Sequence, residues 1–292
     1  MVKRVYVIMM VFFTALILSS CNQRGDVANY DKVTNLTRSA LTGFESALVK
    51  DHVILEWDNA TAQKSLHANA YSIRVPTSDP TTVLIASVVD GEVVTATLAI
   101  RQNHSRTILI DGINDTISIS TDEHELSFVD QSEVSQLLSK YPALQKWVQS
   151  HIPGRNTNSL ILGGSYVDKT ILESLAQKIL PLSCSACDYS NAPMIREWVD
   201  AKNELRSIAS ERSDAYREMQ YLVGEMAAAS ALCAVGFRAA CARASDLAYE
   251  IADQSVTIHN LNTKYNAQLR VVQELTNEIA DWVEDCLDRN CG

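Results

Sequence analysis

Residues 233–241 read Cys233-Ala234-Val235-Gly236-Phe237-Arg238-Ala239-Ala240-Cys241, two cysteines closing on a glycine. Working outward, Cys187 and Cys286 lie almost equally far from Phe237 on either side, and so do Cys184 and Cys291. In two antiparallel helices one chain climbs as the other descends, so facing residues share a midpoint. Three nested cysteine pairs are therefore the pattern of a helical hairpin stapled at its tip and base. The spacing predicts disulfides Cys233–Cys241, Cys187–Cys286 and Cys184–Cys291, one of fifteen connectivities that six cysteines allow.

The sequence between the cysteines carries the matching period. From Pro193, suited to a first helical turn, Met194, Trp198, Ala201, Leu205, Ile208, Arg212, Ala215, Met219, Leu222, Met226, Ala229 and Cys233 recur every three or four residues. The return runs through Ala244, Leu247, Ile251, Gln254, Ile258, Leu261, Tyr265, Gln268, Val272, Leu275, Ile279, Trp282 and Cys286. Only Arg212, Gln254 and Gln268 interrupt the apolar seam, which predicts coiled-coil packing with buried polar positions that help set register. Arms of about 41 and 46 residues would extend about 60 to 70 Å.

The N-terminus sets the compartment. Lys3 and Arg4 precede an apolar run, Val5 to Ile17, too short to span a bilayer as a mature helix, and Leu18-Ser19-Ser20-Cys21 follows. This resembles a bacterial lipobox, the site at which lipoprotein signal peptidase cuts. The resemblance covers the first two dozen residues and implies a signal peptide over 1–20 and a diacylglyceryl thioether on Cys21. Asn22, which is not Asp, would suit outer-membrane sorting in an enteric-type, Gram-negative cell. Polar residues 21–32 read as a lipidated tether, and Arg24-Gly25-Asp26 within them as a chance match to an adhesion tripeptide.

Without Lys3 and Arg4, 23 basic residues face 35 acidic ones, a net of −12. An acidic chain with no basic stripe argues against nucleic acid, and it gives the membrane link to acyl chains rather than charge. An even cysteine number beyond Cys21 in an exported chain reads as disulfides.

Residues 33–130 read as a helix plus an antiparallel β module. Leu36, Ala40, Leu41, Phe44 and Leu48 recur at helical spacing, and Thr42 with Glu45 has the spacing of a capping box. Predicted strands are 53–57, 71–75, 82–89, 92–101, 107–110, 116–120 and 125–129, with hairpin turns at Asp90-Gly91 and Gly112-Ile113-Asn114-Asp115. No helix-length insert separates them, so the sheet should be a meander. Glu56 to Ala60 followed by Tyr71 to Pro76 is loosely similar to the opening of uncharacterised surface lipoproteins from Bacteroidetes-like bacteria, which implies no activity. Residues 131–182 read as a helical connector: 133–141 and 142–151 as one broken helix, then 166–179 after an N-cap at Ser165. The fold class is α+β, a β-meander module followed by helices and the stapled hairpin of 183–292.

No catalytic motif is present. Gly163-Gly164-Ser165 lacks the frame of a nucleophile elbow and the lysine of a phosphate loop. Histidines 52, 67, 104, 124, 151 and 259 show no metal-ligand spacing, and His259 reads as a solvated helix face. Cys184-Ser185-Ala186-Cys187 also permits a redox or zinc reading, but it lacks a βα frame and a second close pair. The chain is read as no enzyme, without cofactor or metal. It is expected to be an exported envelope lipoprotein with a structural or protein-binding role, held to the membrane through lipid on Cys21. Phe237 and Arg238 at the hairpin apex are the candidate partner-binding residues, and the protein partner is unknown. The alternative is a precursor of a disulfide-locked helical toxin or antimicrobial effector. The acidic arms, and the lack of a processing site before Cys184, count against it.

Overall fold

The computed structural model describes residues 27–66, 68–103, 106–121, 126–129, 131–151, 187, 190 and 192–290. The expected signal segment, Cys21, the helix expected over 166–179 and the expected Cys184–Cys291 pair lie outside these residues.

Seven strands form one antiparallel sheet in chain order: β1 (Thr61–Lys64), β2 (Ala70–Pro76), β3 (Thr82–Val89), β4 (Glu92–Asn103), β5 (Arg106–Asp111), β6 (Thr116–Thr121) and β7 (Leu126–Phe128). The β3–β4 hairpin turns through Asp90 and Gly91 at φ of 50° and 86°. Both central residues of such a two-residue turn need positive φ, which Gly supplies without strain.

Because side chains alternate along a strand, each strand sends half of its residues to either face. On one face Ile73, Leu84, Leu98, Ile108, Ile110 and Ile117 meet Val33, Phe44, Leu48, Val134, Leu144 and Val148. These come from α1 (Val27–Ala40), α2 (Thr42–Lys50), α3 (Gln131–Leu137) and α4 (Pro142–His151). The other face is covered by the helical hairpin, α5 (Ile195–Ala234) and α6 (Arg238–Asn290). Helix α6 crosses β1 to β4, and α5 crosses β3 to β7. The molecule is a helix–sheet–helix sandwich, and its sheet and hairpin share one core. With both faces covered, all eight residues of β3 are buried, which is why the strands read as nearly unbroken apolar runs.

The two faces differ in chemistry. The face under α1 to α4 is apolar, aliphatic apart from Tyr71 of β2. The hairpin side mixes Val83, Ile85, Ala99 and Leu109 with buried Ser72, Ser87, Thr95, Thr97, Thr107, Asp111, Thr116, Ser118 and Ser120.

Several local expectations are corrected. Helix α1 starts at Val27, inside the segment read as a tether, and Tyr30 donates its hydroxyl to the Ala60 carbonyl. The chain breaks at Leu41 and restarts at Thr42, but no capping box forms. Thr42 donates backwards to Ser39 O instead, and Glu45 receives the Trp57 indole N–H at 2.9 Å. Residues 53–57 make one bridge, Leu55 with Thr77, and then a 3-10 turn at Trp57–Asn59. Glu56 N–H donates to Pro76 O, but Pro76 has no N–H to return, so the ladder stops. The first strand is instead Thr61–Lys64. In α4, Pro142 occupies the first turn while the distant Asp51 carboxylate accepts from Ala143 N and Leu144 N at 2.9 and 2.7 Å.

The stapled hairpin as candidate functional site

The hairpin arms have 40 and 53 residues, about 60 and 80 Å of helix. The return arm exceeds the expected length because α6 begins at Arg238, directly after the turn, and runs to Asn290. Leu205, Met219, Leu247, Ile251, Val272 and Ile279 are fully buried along the seam. The polar seam residues all have defined partners. Gln254 donates to Ala215 O at 2.9 Å and Gln268 to Ala201 O at 3.1 Å. Arg212 lies over the Tyr265 ring, 4.7 Å from its centroid, and burial pulls its pKa below the usual arginine value. Trp198 donates to Thr276 Oγ1 at 2.9 Å.

Among the described residues two disulfides close the hairpin, Cys187–Cys286 and Cys233–Cys241, with Cα separations of 5.6 and 4.7 Å. Buried Cys187 is thus a disulfide partner rather than half of a redox or zinc motif. The bonds put the chain in an oxidising compartment. Among the described residues, no helix is long and apolar enough to cross a membrane.

A buried polar network locks α5 onto the sheet. Asp111, at the end of β5, accepts from Ile113 N and Asn114 N at 2.9 and 3.2 Å, closing the turn before β6. Its other oxygen receives Tyr216 OH at 2.6 Å, Asn114 Nδ2 at 2.9 Å and Gln220 Nε2 at 3.4 Å. Burial first, then the Asp111 charge, push the Tyr216 hydroxyl well above the ordinary tyrosine range, so it stays a donor. Thr116 shares a hydrogen bond with the same hydroxyl at 2.9 Å. Beyond this, Gly224 brings α5 so near β6 that a Cβ there would lie 2.7 Å from Ser120 Oγ. One buried carboxylate that gathers neutral donors from the turn and from α5 ties the helix to the sheet.

The tip has a different composition. Gly236 takes φ of 96° and donates to Cys233 O at 2.9 Å, while Phe237 N–H donates to Leu232 O at 3.2 Å. This pair of bonds is a Schellman ending, which explains the glycine. Phe237 O then accepts from Ala240 N and Cys241 N, opening α6. The reversal takes three residues and is closed covalently by Cys233–Cys241. Across it Leu232, Val235 and Phe237 are 42%, 71% and 62% exposed. Arg238 is also exposed. Arg243, two residues after Cys241, is held by Glu225 and Glu250 at 2.8 and 2.9 Å. From Met226 to Ser245 there is no acidic residue at all.

The chain matches no family model, no curated protein and no solved structure.

The structure thus brings four of the predicted cysteines into two pairs and places Phe237 and Arg238 together at the apex, while Cys21, Cys184 and Cys291 lie outside the described residues. His259, expected on a solvated face, sits half-buried with Nδ1 3.7 Å from the Glu92 carboxylate. Leu232 and Val235, the other exposed apolar residues of the tip, escaped the sequence reading. The acid-free run around them was the signal. Asp111, Tyr216 and Gln220 were missed too, although alternating Thr116, Ser118 and Ser120 marked one side of a strand as polar.

Proposed function

We propose that this chain is an exported protein, lipid-anchored through Cys21 in a bacterial cell envelope, with a structural or protein-binding role. In this reading it presents the end of a rigid helical hairpin to a partner. The supporting observation is the tip: a three-residue reversal, clamped by Cys233–Cys241, that leaves Leu232, Val235 and Phe237 uncovered on a chain whose other long apolar seams are packed. Exposed apolar side chains clustered on a rigid projection mark an interaction site. The body of the sandwich supplies the base, since Asp111, Tyr216 and Gln220 fix the hairpin to the sheet.

The effector alternative fits less well. Releasing the hairpin would strip Val83, Ile85, Ala99 and Leu109 of their cover and break the Asp111 network.

The experiment is a photo-crosslinking amino acid placed at position 237 in cells that make the protein. The expected result is an adduct with one envelope component, absent when the crosslinker replaces exposed Val199 on the base half of α5. Equal products at both positions, or none at either, would remove the tip from the function. Labelling with palmitate, lost in Cys21→Ser, tests the anchor.

A further inference from the structure

We infer that the hairpin tip docks into the headgroup region of an anionic phospholipid bilayer. The inference rests on the tip being the working end and names what it meets.

Three observations favour lipid over a protein pocket. First, the uncovered groups at the reversal are Leu232, Val235 and Phe237, side chains that gain from entering an apolar phase without needing directional contacts. Second, a protein interface fixes its register with polar groups around an apolar centre, and this tip offers almost none. Between Met226 and Ser245 the polar side chains other than cysteines are Ser230, Arg238, Arg243 and Ser245 itself. Ser230 is buried, and Arg243 is occupied by Glu225 and Glu250. Third, the charge at the tip opposes that of the chain. The whole sequence carries a net −10, which would repel an anionic surface. At the reversal only exposed Arg238 is charged and without an ion pair or hydrogen bond among the described residues.

Distance makes that local charge count. Glu225 and Asp246, the nearest acids in sequence, are seven and eight residues from Leu232 and Arg238, about 10 to 12 Å along the helices. Physiological salt screens charges beyond about 8 Å, so a surface touching the reversal meets Arg238 rather than the acidic arms. Arginine beside an aromatic and two aliphatics is the composition of an interfacial anchor: the guanidinium stays with lipid phosphates while the apolar groups enter the acyl boundary. The disulfide keeps the loop from being ordered anew on contact, which lowers the entropy lost on binding.

The test uses the exported form, residues 21–292, carrying Cys21→Ser so that neither leader nor acyl chains bring it to lipid. It is sedimented with phosphatidylcholine vesicles containing about a third phosphatidylglycerol, and with pure phosphatidylcholine vesicles. The expected result is binding to the anionic vesicles that falls with added salt. Phe237→Asp should weaken it about tenfold or more with helical content unchanged, and Arg238→Ala should remove the preference for phosphatidylglycerol. Wild-type protein that stays in the supernatant, or Phe237→Asp sedimenting like wild type, would overturn the inference. If vesicles fail while the crosslinker at position 237 captures an envelope protein, the tip serves a protein partner and only the lipid assignment falls. If both fail, the tip has no binding role.

Discussion

Gln268 donates its side-chain N–H to the main-chain carbonyl of Ala201 at 3.1 Å, and two heptads away Gln254 does the same to Ala215 at 2.9 Å. The two bonds tie the arms at corresponding points, so sliding the hairpin by one turn would break both together. Each acceptor keeps its helical bond, and removing a glutamine therefore strands no buried carbonyl. Gln254→Ala and Gln268→Ala should each cost about 1 kcal/mol. The sites are about 21 Å apart along the helix, so the double variant should show the sum. Urea unfolding of the four proteins checks this, and a double variant clearly worse than the sum would mean the bonds hold register cooperatively.

Asp111 should matter more than Tyr216, although they share one hydrogen bond. Tyr216→Phe removes one bond to a buried carboxylate together with the hydroxyl's bonds to Thr116 and Gln220, whose side chains keep other neighbours, about 2 kcal/mol. Asp111→Ala also removes the acceptor for Ile113 N, Asn114 N and Asn114 Nδ2, and about 4 kcal/mol is expected. Denaturant midpoints order the two, and a smaller loss for Asp111→Ala would mean the carboxylate is not the anchor of α5.

Gly224 is a helix-interior glycine, where alanine ordinarily gains up to about 1 kcal/mol. Here the added Cβ would stand 2.7 Å from Ser120 Oγ and 2.9 Å from Ser120 Cβ, so α5 must lift from β6. Gly224→Ala should destabilise by about 1 to 3 kcal/mol. Placing Ser120→Gly in the same protein should return part of that loss, a coupling that thermal unfolding of the double-mutant cycle reads directly. Strict additivity would show that the close approach is not what the glycine permits.

A pH dependence follows from Asp79. Burial would raise its pKa, but bonds from Thr81 N–H, Thr81 OH and Tyr141 OH outweigh it, and the carboxyl lies below its ordinary value. A depressed folded-state value contributes stability above the unfolded-state pKa, near about 4, and loses it as pH falls through the folded value. Tyr141 is pushed up to about 12, by burial first and then by Asp79. A raised value contributes stability in full below about 10 and loses it as pH climbs through the folded value. The melting-temperature gap between wild type and Asp79→Asn should therefore be widest near neutrality and close below pH about 4. A gap independent of pH in the acid range would show that the Asp79 charge contributes nothing.

The hairpin was readable because its constraints lie along the sequence. Cysteines with a common midpoint, a seam repeating every three or four residues, and a glycine at the centre state a register without reference to any other element. The meander was readable for a similar reason, since β-branched runs separated by Asp90-Gly91 and by Gly112 to Asp115 pair with their neighbours. Leu55 and Trp57 misled because an apolar alternation says nothing about whether the facing residue has an N–H to offer, and Pro76 does not. Thr61–Lys64 escaped because an edge strand half exposed to solvent needs no apolar pattern.

The sequence by itself determined the disulfide-bonded character, the α+β class and the antiparallel pairing of the two long helices, because each rests on periodicity or on spacing within one segment. Only the tertiary structure decided that the hairpin lies on the sheet. That choice depends on Asp111 meeting Tyr216 across 105 positions and on Gly224 admitting Ser120, contacts between polar or small residues that leave no period to read. It also decided that Leu232, Val235 and Phe237 stay uncovered, since an apolar residue declares its preference for burial in the sequence, whereas its exposure is fixed by what the rest of the chain leaves unfilled.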